Sequence, residues 1–546
     1  DAEDDGDANT AVGYQAFTQL NAASGYGAGV AIGYVAGAAL TTGVNNTIVG
    51  AYALDAATTA LNNVAIGTEA MSAVPSGQAV DGCVAIGYQA LTGAGGTTTG
   101  ANNSIAIGSQ SLKALTTGAG NIAIGYTALT ACQTGADNVV VGYQAGEDLT
   151  GSNCTFIGAG AGMQSTAGNN TAVGHDAGGN MTTWDSNTAI GKQALQGQSG
   201  QAMNYCTAIG ASALASGSIT TAANGTTAVG HAALTALTSG ANNIAIGYQA
   251  LDALTTSSHN LAIGVDALGT GTYDCDYNVA IGNYTLDACT AGATVTGNVA
   301  VGYAAGSAVT TSDNGVFVGY LAGNAVTTGA SNMAIGSTAM DANQAGQDNV
   351  AIGLAALGLM NHANSNENVA IGNYAGDGIG TVDGNARNTI IGNHAGGGTW
   401  GSGATTDIVA IGDHALDGAL DNVDGTVAIG ADALGALTTG GANTAVGFQA
   451  LSSNTDGANN VAIGYNAGIQ DDGSNAMTSP DNCVFIGYDA RSDDATPSNQ
   501  IVIGYEADGV ADNSVTLGNE NVTAVYMAHD SGATVHCARS VNKANS

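Results

Sequence analysis

Positive charge is the scarcest property of this chain. Only 6 of 546 residues are Lys or Arg, against 42 Asp or Glu, and the formal charge is −36. The six (Lys113, Lys192, Arg387, Arg491, Arg539 and Lys543) lie scattered along the sequence. Nucleic-acid binding needs clustered cations to neutralise phosphates, so that class is excluded. Anionic lipid and polyanionic glycan are disfavoured on the same ground. An acidic, lysine-poor surface instead suits a particle kept dispersed in salt by self-repulsion. Proline is nearly missing, with 3 residues, which excludes collagen despite 85 glycines. Charged residues make up 9% and apolar ones 45%, the reverse of a disordered chain. No apolar run reaches the roughly 18 residues that a membrane-spanning helix needs, so no insertion into a membrane is expected. The 8 cysteines show no CxxC and no Cys/His pair at metal-ligand spacing, which argues against zinc. Cys83, Cys154, Cys206 and Cys483 share one repeat position and read better as small apolar residues than as a disulfide framework. The opening residues, DAEDDGDANT, lack a Met and a signal peptide's basic and apolar regions, and read as a processed or trimmed end.

What the chain has in excess is repetition. A tetrapeptide recurs as Val64-Ala65-Ile66-Gly67, Val84-Ala85-Ile86-Gly87, Ile122-Ala123-Ile124-Gly125 and onward to Val461-Ala462-Ile463-Gly464. Its terminal Gly falls at 29 positions from Gly13 to Gly518, and 13 of the 28 intervals are 17 residues long. That period is too short for a helical pair, and β-branched residues sit at its centre. The expected fold is therefore all-β: a parallel β-solenoid or β-roll of about 28 short coils, each stabilised by its neighbours. At the usual strand spacing such a stack is ~130 Å long.

Each register position has an expected role. Ile or Val precedes the Gly in every copy but one, Leu517, and reads as the inward core ladder: Ile66, Ile86, Ile107, Ile124, Ile246, Ile263, Ile352 and Ile463. On this reading Asp at position 246 would fray the neighbouring coils. The residue two before the Gly is usually Ala, and in a strand it points to the opposite face. An Ala-lined outer face needs a second surface against it, and an identical chain is the simplest supplier. Ala recurs three residues after the Gly in 26 of 29 copies, implying a narrow coil. Asn occupies 17 of 29 positions four before the Gly, where stacked copies could form a hydrogen-bonded ladder. Open sheet edges need covering, and the candidate caps are residues 1–8 and 519–546 flanking a shaft at 9–518.

The repeat, with Asn63, Val64-Ala65-Ile66-Gly67 and Ala70, resembles the head repeats of YadA-like trimeric autotransporter adhesins. The resemblance covers roughly residues 9–518 and implies a left-handed parallel β-roll with three identical chains packed side by side. This chain departs from it in coil length, since the adhesin coil is shorter. No coiled-coil stalk or membrane barrel follows, which argues against a complete autotransporter. The C-terminal stretch Asn513-Ser514-Val515-Thr516-Leu517-Gly518-Asn519, Val522 to Met527 and Gly532 to Cys537 is similar to the segment preceding the endosialidase-type intramolecular chaperone of phage tail fibres. That resemblance implies that Ser546 is a processing end.

Candidate chemistry is sparse. His394 and His414 share the register two after the Gly in consecutive coils, with Asp413 adjacent, and could hold a metal. A variable solvent-facing register is the plainer reading. The turns Tyr273-Asp274-Cys275-Asp276 and Asp471-Asp472-Gly473 could hold structural Ca²⁺, though no EF-hand spacing supports it. Eleven Tyr follow the Gly directly, among them Tyr88, Tyr126, Tyr143 and Tyr248, and could form a glycan-stacking stripe or simply shield the coil corner. No carboxylate pair sits in a distinctive cluster, and no catalytic residue or cofactor is expected. The sequence thus points to a structural, adhesive fibre outside the cell or on a virion. A trimeric phage-type tail or receptor-binding fibre is the form expected first, with a cellular surface adhesin or extracellular structural filament as the alternative and, with less support, an ice-binding solenoid. A cell-surface receptor or glycan is the expected partner besides the chain itself.

Overall fold

The computed structural model describes residues 8–20, 28–75, 80–93, 100–197, 203–216, 223–270, 275–289, 294–380 and 383–525. Among them are 29 three-residue strands, from β1 (Thr10–Val12) to β29 (Val515–Leu517), and no α-helix. The chain divides into two units, Asp1–Ser331 and Asn332–Ser546. Within each, every strand pairs in parallel with the next one in sequence. In the first unit, for example, β14 (Ile244–Ile246) pairs with β15 (Leu261–Ile263). In the second, β26 (Val461–Ile463) pairs with β27 (Val484–Ile486). The expected all-β parallel solenoid is therefore what the chain forms. Residues 1–7, Ser546 and the tail from 526 lie outside the described residues, as do Tyr273 and Asp274.

The register is held by backbone hydrogen bonds at three places around the coil. Along the strand, Ile244 N–H donates to Asn260 O at 2.8 Å and Gly264 N–H to Ile246 O at 2.8 Å. Two residues past the glycine, Asp266 N–H reaches Tyr248 O at 3.0 Å, and two further on Leu251 N–H reaches Ala267 O at 3.0 Å. To aim these groups along the stack the chain turns through left-handed conformations, as at Asn242 (φ 58), Gln249 (φ 53) and Leu251 (φ 53). Such values are uncommon for residues other than glycine, and here they recur coil after coil because each saves a ladder bond. The strand-end glycine is more constrained. At Gly247, φ is +144, and a Cβ would lie under 3 Å from the carbonyl of Gly264. Positive φ and close approach thus both exclude a side chain at this position.

The strand faces are the reverse of the expectation. In the typical coil the middle residue is buried and the two flanking residues are partly exposed. Ala245, Ala262 and Ala351 have no exposed surface, whereas Ile246 is 37% and Ile463 42% exposed. The ladder of Ile66, Ile86, Ile107, Ile124, Ile246, Ile263, Ile352 and Ile463 therefore lies on the outside, and the Ala ladder lies inside. The physical reason is volume. The interior must also hold the side chain four residues past the glycine, which is Leu in many coils and fully buried at Leu91, Leu129, Leu251 and Leu268. Ala opposite Leu fills the narrow section. At three bulky mid-strand residues glycine takes the place of that Leu in both flanking coils: Gly146 and Gly162 face Phe156, Gly306 and Gly323 face Phe317, and Gly376 and Gly396 face Ile390; at Ile48 and Phe485 only the preceding coil does so, with Gly37 and Gly468. Around these residues the glycines offset the added side-chain volume, as close-packed cores require.

Gly247→Ala should lower unfolding free energy by about 2 kcal/mol or more, since it combines backbone strain with a clash against a carbonyl. Gly425→Asn should be neutral within about 0.5 kcal/mol. Gly425 has φ +65 and open space around it, in a register that Asn fills elsewhere. Chemical denaturation of the two variants checks both values.

Candidate functional site

The most ordered polar feature is internal. Asn side chains four before the glycine are buried and chained to one another. Asn260 Nδ2 donates to Asn243 Oδ1 at 3.2 Å, and Asn278 Nδ2 to Asn260 Oδ1 at 3.2 Å. Each Oδ1 also accepts the backbone N–H of the next coil's residue, as Asn260 does from Asn278 at 3.0 Å. The remaining Nδ2 hydrogen reaches the turn of the next coil, from Asn278 to Val295 O at 2.7 Å. A buried amide left unpaired costs about 1–3 kcal/mol, so the ladder is a structural requirement. The shared-register cysteines fit into it: the N–H groups of Cys83, Cys154, Cys206 and Cys483 donate to the preceding Asn Oδ1 at 2.8–2.9 Å. Burial pushes the thiols of Cys83, Cys154 and Cys206 up to about 11, which keeps them protonated and unreactive.

Outside the coil, aromatic side chains stack at the corner after the strand. Tyr126 and Tyr143 lie 5.5 Å apart at 16°, Tyr248 stacks on His231 at 5.5 Å, and Tyr465, Tyr488 and Tyr505 follow each other at 5.2 Å. The rings are about half exposed: 48% at Tyr88 and Tyr126, 56% at Tyr143, 50% at Tyr248. Stacked rings cover one another's faces, the surface a sugar ring would need. The geometry of these runs favours corner-shielding ladders over glycan stacking. At Tyr88 the neighbouring coils offer Thr68 and Ser109 at the same position.

His394 and His414 form a second ring stack with Tyr374, at 4.8 and 5.1 Å. Asp413 bonds His414 Nδ1 at 3.0 Å, which raises the His414 pKa and lowers that of Asp413. Parallel imidazoles aim their nitrogens side by side rather than at one point. No group of three or more His, Cys, Asp or Glu converges as a metal site among the described residues. In the turn at Asp471-Asp472-Gly473, the Asp471 carboxylate is occupied in closing the turn, accepting from Asn475 N at 2.7 Å and Asn475 Nδ2 at 2.8 Å. Thr hydroxyls of the variable turns are also committed: Thr238 Oγ1 donates to Thr255 O at 2.8 Å and Thr438 Oγ1 to Thr455 O at 2.7 Å. A Thr array does face outward over five strands, Thr155, Thr171, Thr188, Thr207 and Thr227, but the second outward residue of each is Ile or Val.

One register escaped the sequence reading. Asp55, Asp252, Asp287, Asp341, Asp377 and Asp417 all lie five residues after a strand-end glycine. Partial burial raises the pKa of each, and takes Asp55 to about 6. The signal was available as a recurrent acid at one offset, hidden because most coils place other small residues there.

A carboxylate with a raised native pKa binds protons more tightly folded than unfolded, where Asp titrates near ~3.9. Its stabilising protonation is complete below the unfolded value and is lost as pH rises through about 6 at Asp55. The melting temperature should therefore rise as pH falls from about 7 to about 5. Asp55→Asn should raise it at about pH 7 and leave it unchanged near pH 4, as thermal melts across that range will read.

No protein-family model matches the chain, and no curated protein matches it in sequence.

Proposed function

We propose that this chain is the shaft of an adhesive fibre displayed outside a cell or on a virion, in which three identical chains pack along the outward strand face. The observation that carries the reading is that face. Both outward residues of most strands are Val, Ile, Leu or Thr, so β-branched side chains form long apolar stripes on each unit. Ile32, Ile157, Ile190, Ile209, Ile246 and Ile463 each leave 37–42% of their surface uncovered. Soluble monomers rarely keep an apolar strip of that extent in water, and another copy of the same chain matches it in register and chemistry. The partner surface is the Ile/Val face, not the Ala face inferred from sequence.

A passive role follows from the same design. The interior is narrow, its Asn side chains are hydrogen-bonded to one another, and the sequence is strongly acidic. Rigidity, length and solubility are what such a coil supplies, and a shaft needs those three. A trimeric phage-type tail or receptor-binding fibre is the preferred form, with a cellular adhesin or extracellular filament as the alternative. No catalytic step and no cofactor is part of the proposal.

Sedimentation and native mass should give three times the 52.8 kDa of one chain. Ile246→Asp should leave the strand circular dichroism of the chain intact while weakening association at least tenfold, because the side chain lies on the outer face. A stable wild-type monomer at micromolar concentration would remove the support for the fibre reading.

A further inference from the structure

The ring ladder that does not suit glycan stacking suits a different chemistry. Tyr465, Tyr488 and Tyr505 occupy one register in successive coils, held by the pairing of β26, β27 and β28 (Ile501–Ile503). Their centroids are 5.2 Å apart at both steps, with interplanar angles of 9° and 13°. The rings are 45%, 44% and 60% exposed, open to a reagent in solution yet fixed relative to one another by the backbone. Phe448 stacks on Tyr465 at 5.0 Å and ends the run with a ring that carries no hydroxyl. At the other end, the neighbouring Glu506 carboxylate raises the Tyr505 pKa, so that phenol enters the reaction with its proton on.

We propose that this ladder is an oxidative modification site, at which neighbouring tyrosines are coupled into dityrosine and successive coils are joined covalently. The oxidant is hydrogen peroxide acting through a haem peroxidase, neither of which is part of the chain. Each phenol loses one electron and its hydroxyl proton, giving a phenoxyl radical with spin density on the ring carbons beside the oxygen. Two such carbons on adjacent rings form one C–C bond, and the hydrogen on each then moves to its own oxygen to restore the phenol. Two hydrogen atoms leave in total, and one hydrogen peroxide accepts them to become two waters.

Geometry selects the partner. Two radicals held a coil apart meet at an effective concentration far above that of another chain in dilute solution. The exposed rings need only lean together, since the coil spacing already brings them within ring-to-ring distance. The perpendicular pair Tyr34 and Tyr52, at 76°, lacks that alignment. Competing sites of oxidation are withdrawn into the core: the seven described cysteines and both tryptophans are buried. Oxidising equivalents therefore fall on the tyrosines.

The test uses the full chain at dilute concentration with a haem peroxidase and hydrogen peroxide, reading dityrosine fluorescence and the masses of cross-linked proteolytic peptides. Links 465–488 and 488–505 are expected, with the denatured chain still running as a single-chain species. Their yield should exceed that of the same chain oxidised in denaturant at least tenfold. Tyr488→Phe keeps the ring and the stack and should abolish both links, while the link between Tyr126 and Tyr143 persists. Tyrosine loss without these links, or a distribution of pairs equal to that in denaturant, would overturn the proposal.

Discussion

Everything in this molecule depends on one distance, the strand spacing at which successive coils sit. At the strand end that spacing sets glycine against glycine, so closely that a Cβ on Gly67, Gly87 or Gly247 would enter the next coil's carbonyl. A fixed pitch near 4.8 Å is also the repeat at which amides, hydroxyls and aromatic rings can stack on their own copies. The buried Asn ladder, the Thr-to-carbonyl bonds of the turns and the ring stacks are separate consequences of that one pitch. Non-glycine residues accept left-handed conformations at up to three places per coil for the same reason: in that conformation their N–H groups meet the coil beside them.

The second consequence is a thin interior. With walls set by hydrogen bonds, the space between strand and opposite wall usually takes one Ala and one Leu, or one Phe with glycines; Ile48 and Leu54 are buried together where Gly37 of the preceding coil makes room. This is why Ile and Val, which look like core residues by hydropathy, stand on the outside. The fold thereby creates the apolar stripe that its own interior cannot cover. Association, in the reading proposed above, is thus a product of how narrow the coil is.

Much of the fold was legible in the sequence because a repeat is read many times. The strand positions, their parallel order and the Asn ladder all followed from periodicity and residue type. The facing of the strand did not. Both faces are apolar, so alternation alone could not choose between them, and the near-invariance of Ile246 and its counterparts was read as burial. The deciding pattern was present but needed two positions read together: Phe156, Phe317 and Ile390 occur only with glycine four residues past the strand end, which ties the mid-strand residue to the interior. The candidate metal residues His394 and His414 were correctly placed in one register, but sequence could not show that the rings stack in parallel. The half-buried carboxylates were missed because a titrating Asp looks like any surface acid until its burial is known.

The central claim is that the mid-strand residue and the residue four past the glycine share one fixed interior volume. A mutant cycle at β15 tests it without reference to any partner. Ala262→Phe alone should destabilise by about 1–3 kcal/mol through overpacking, and Leu251→Gly with Leu268→Gly should destabilise by opening a cavity. The triple variant should recover most of both losses, giving a coupling of at least about 2 kcal/mol between the two changes. Additive losses in the denaturation midpoints would mean that these side chains do not face each other, and would contradict the account.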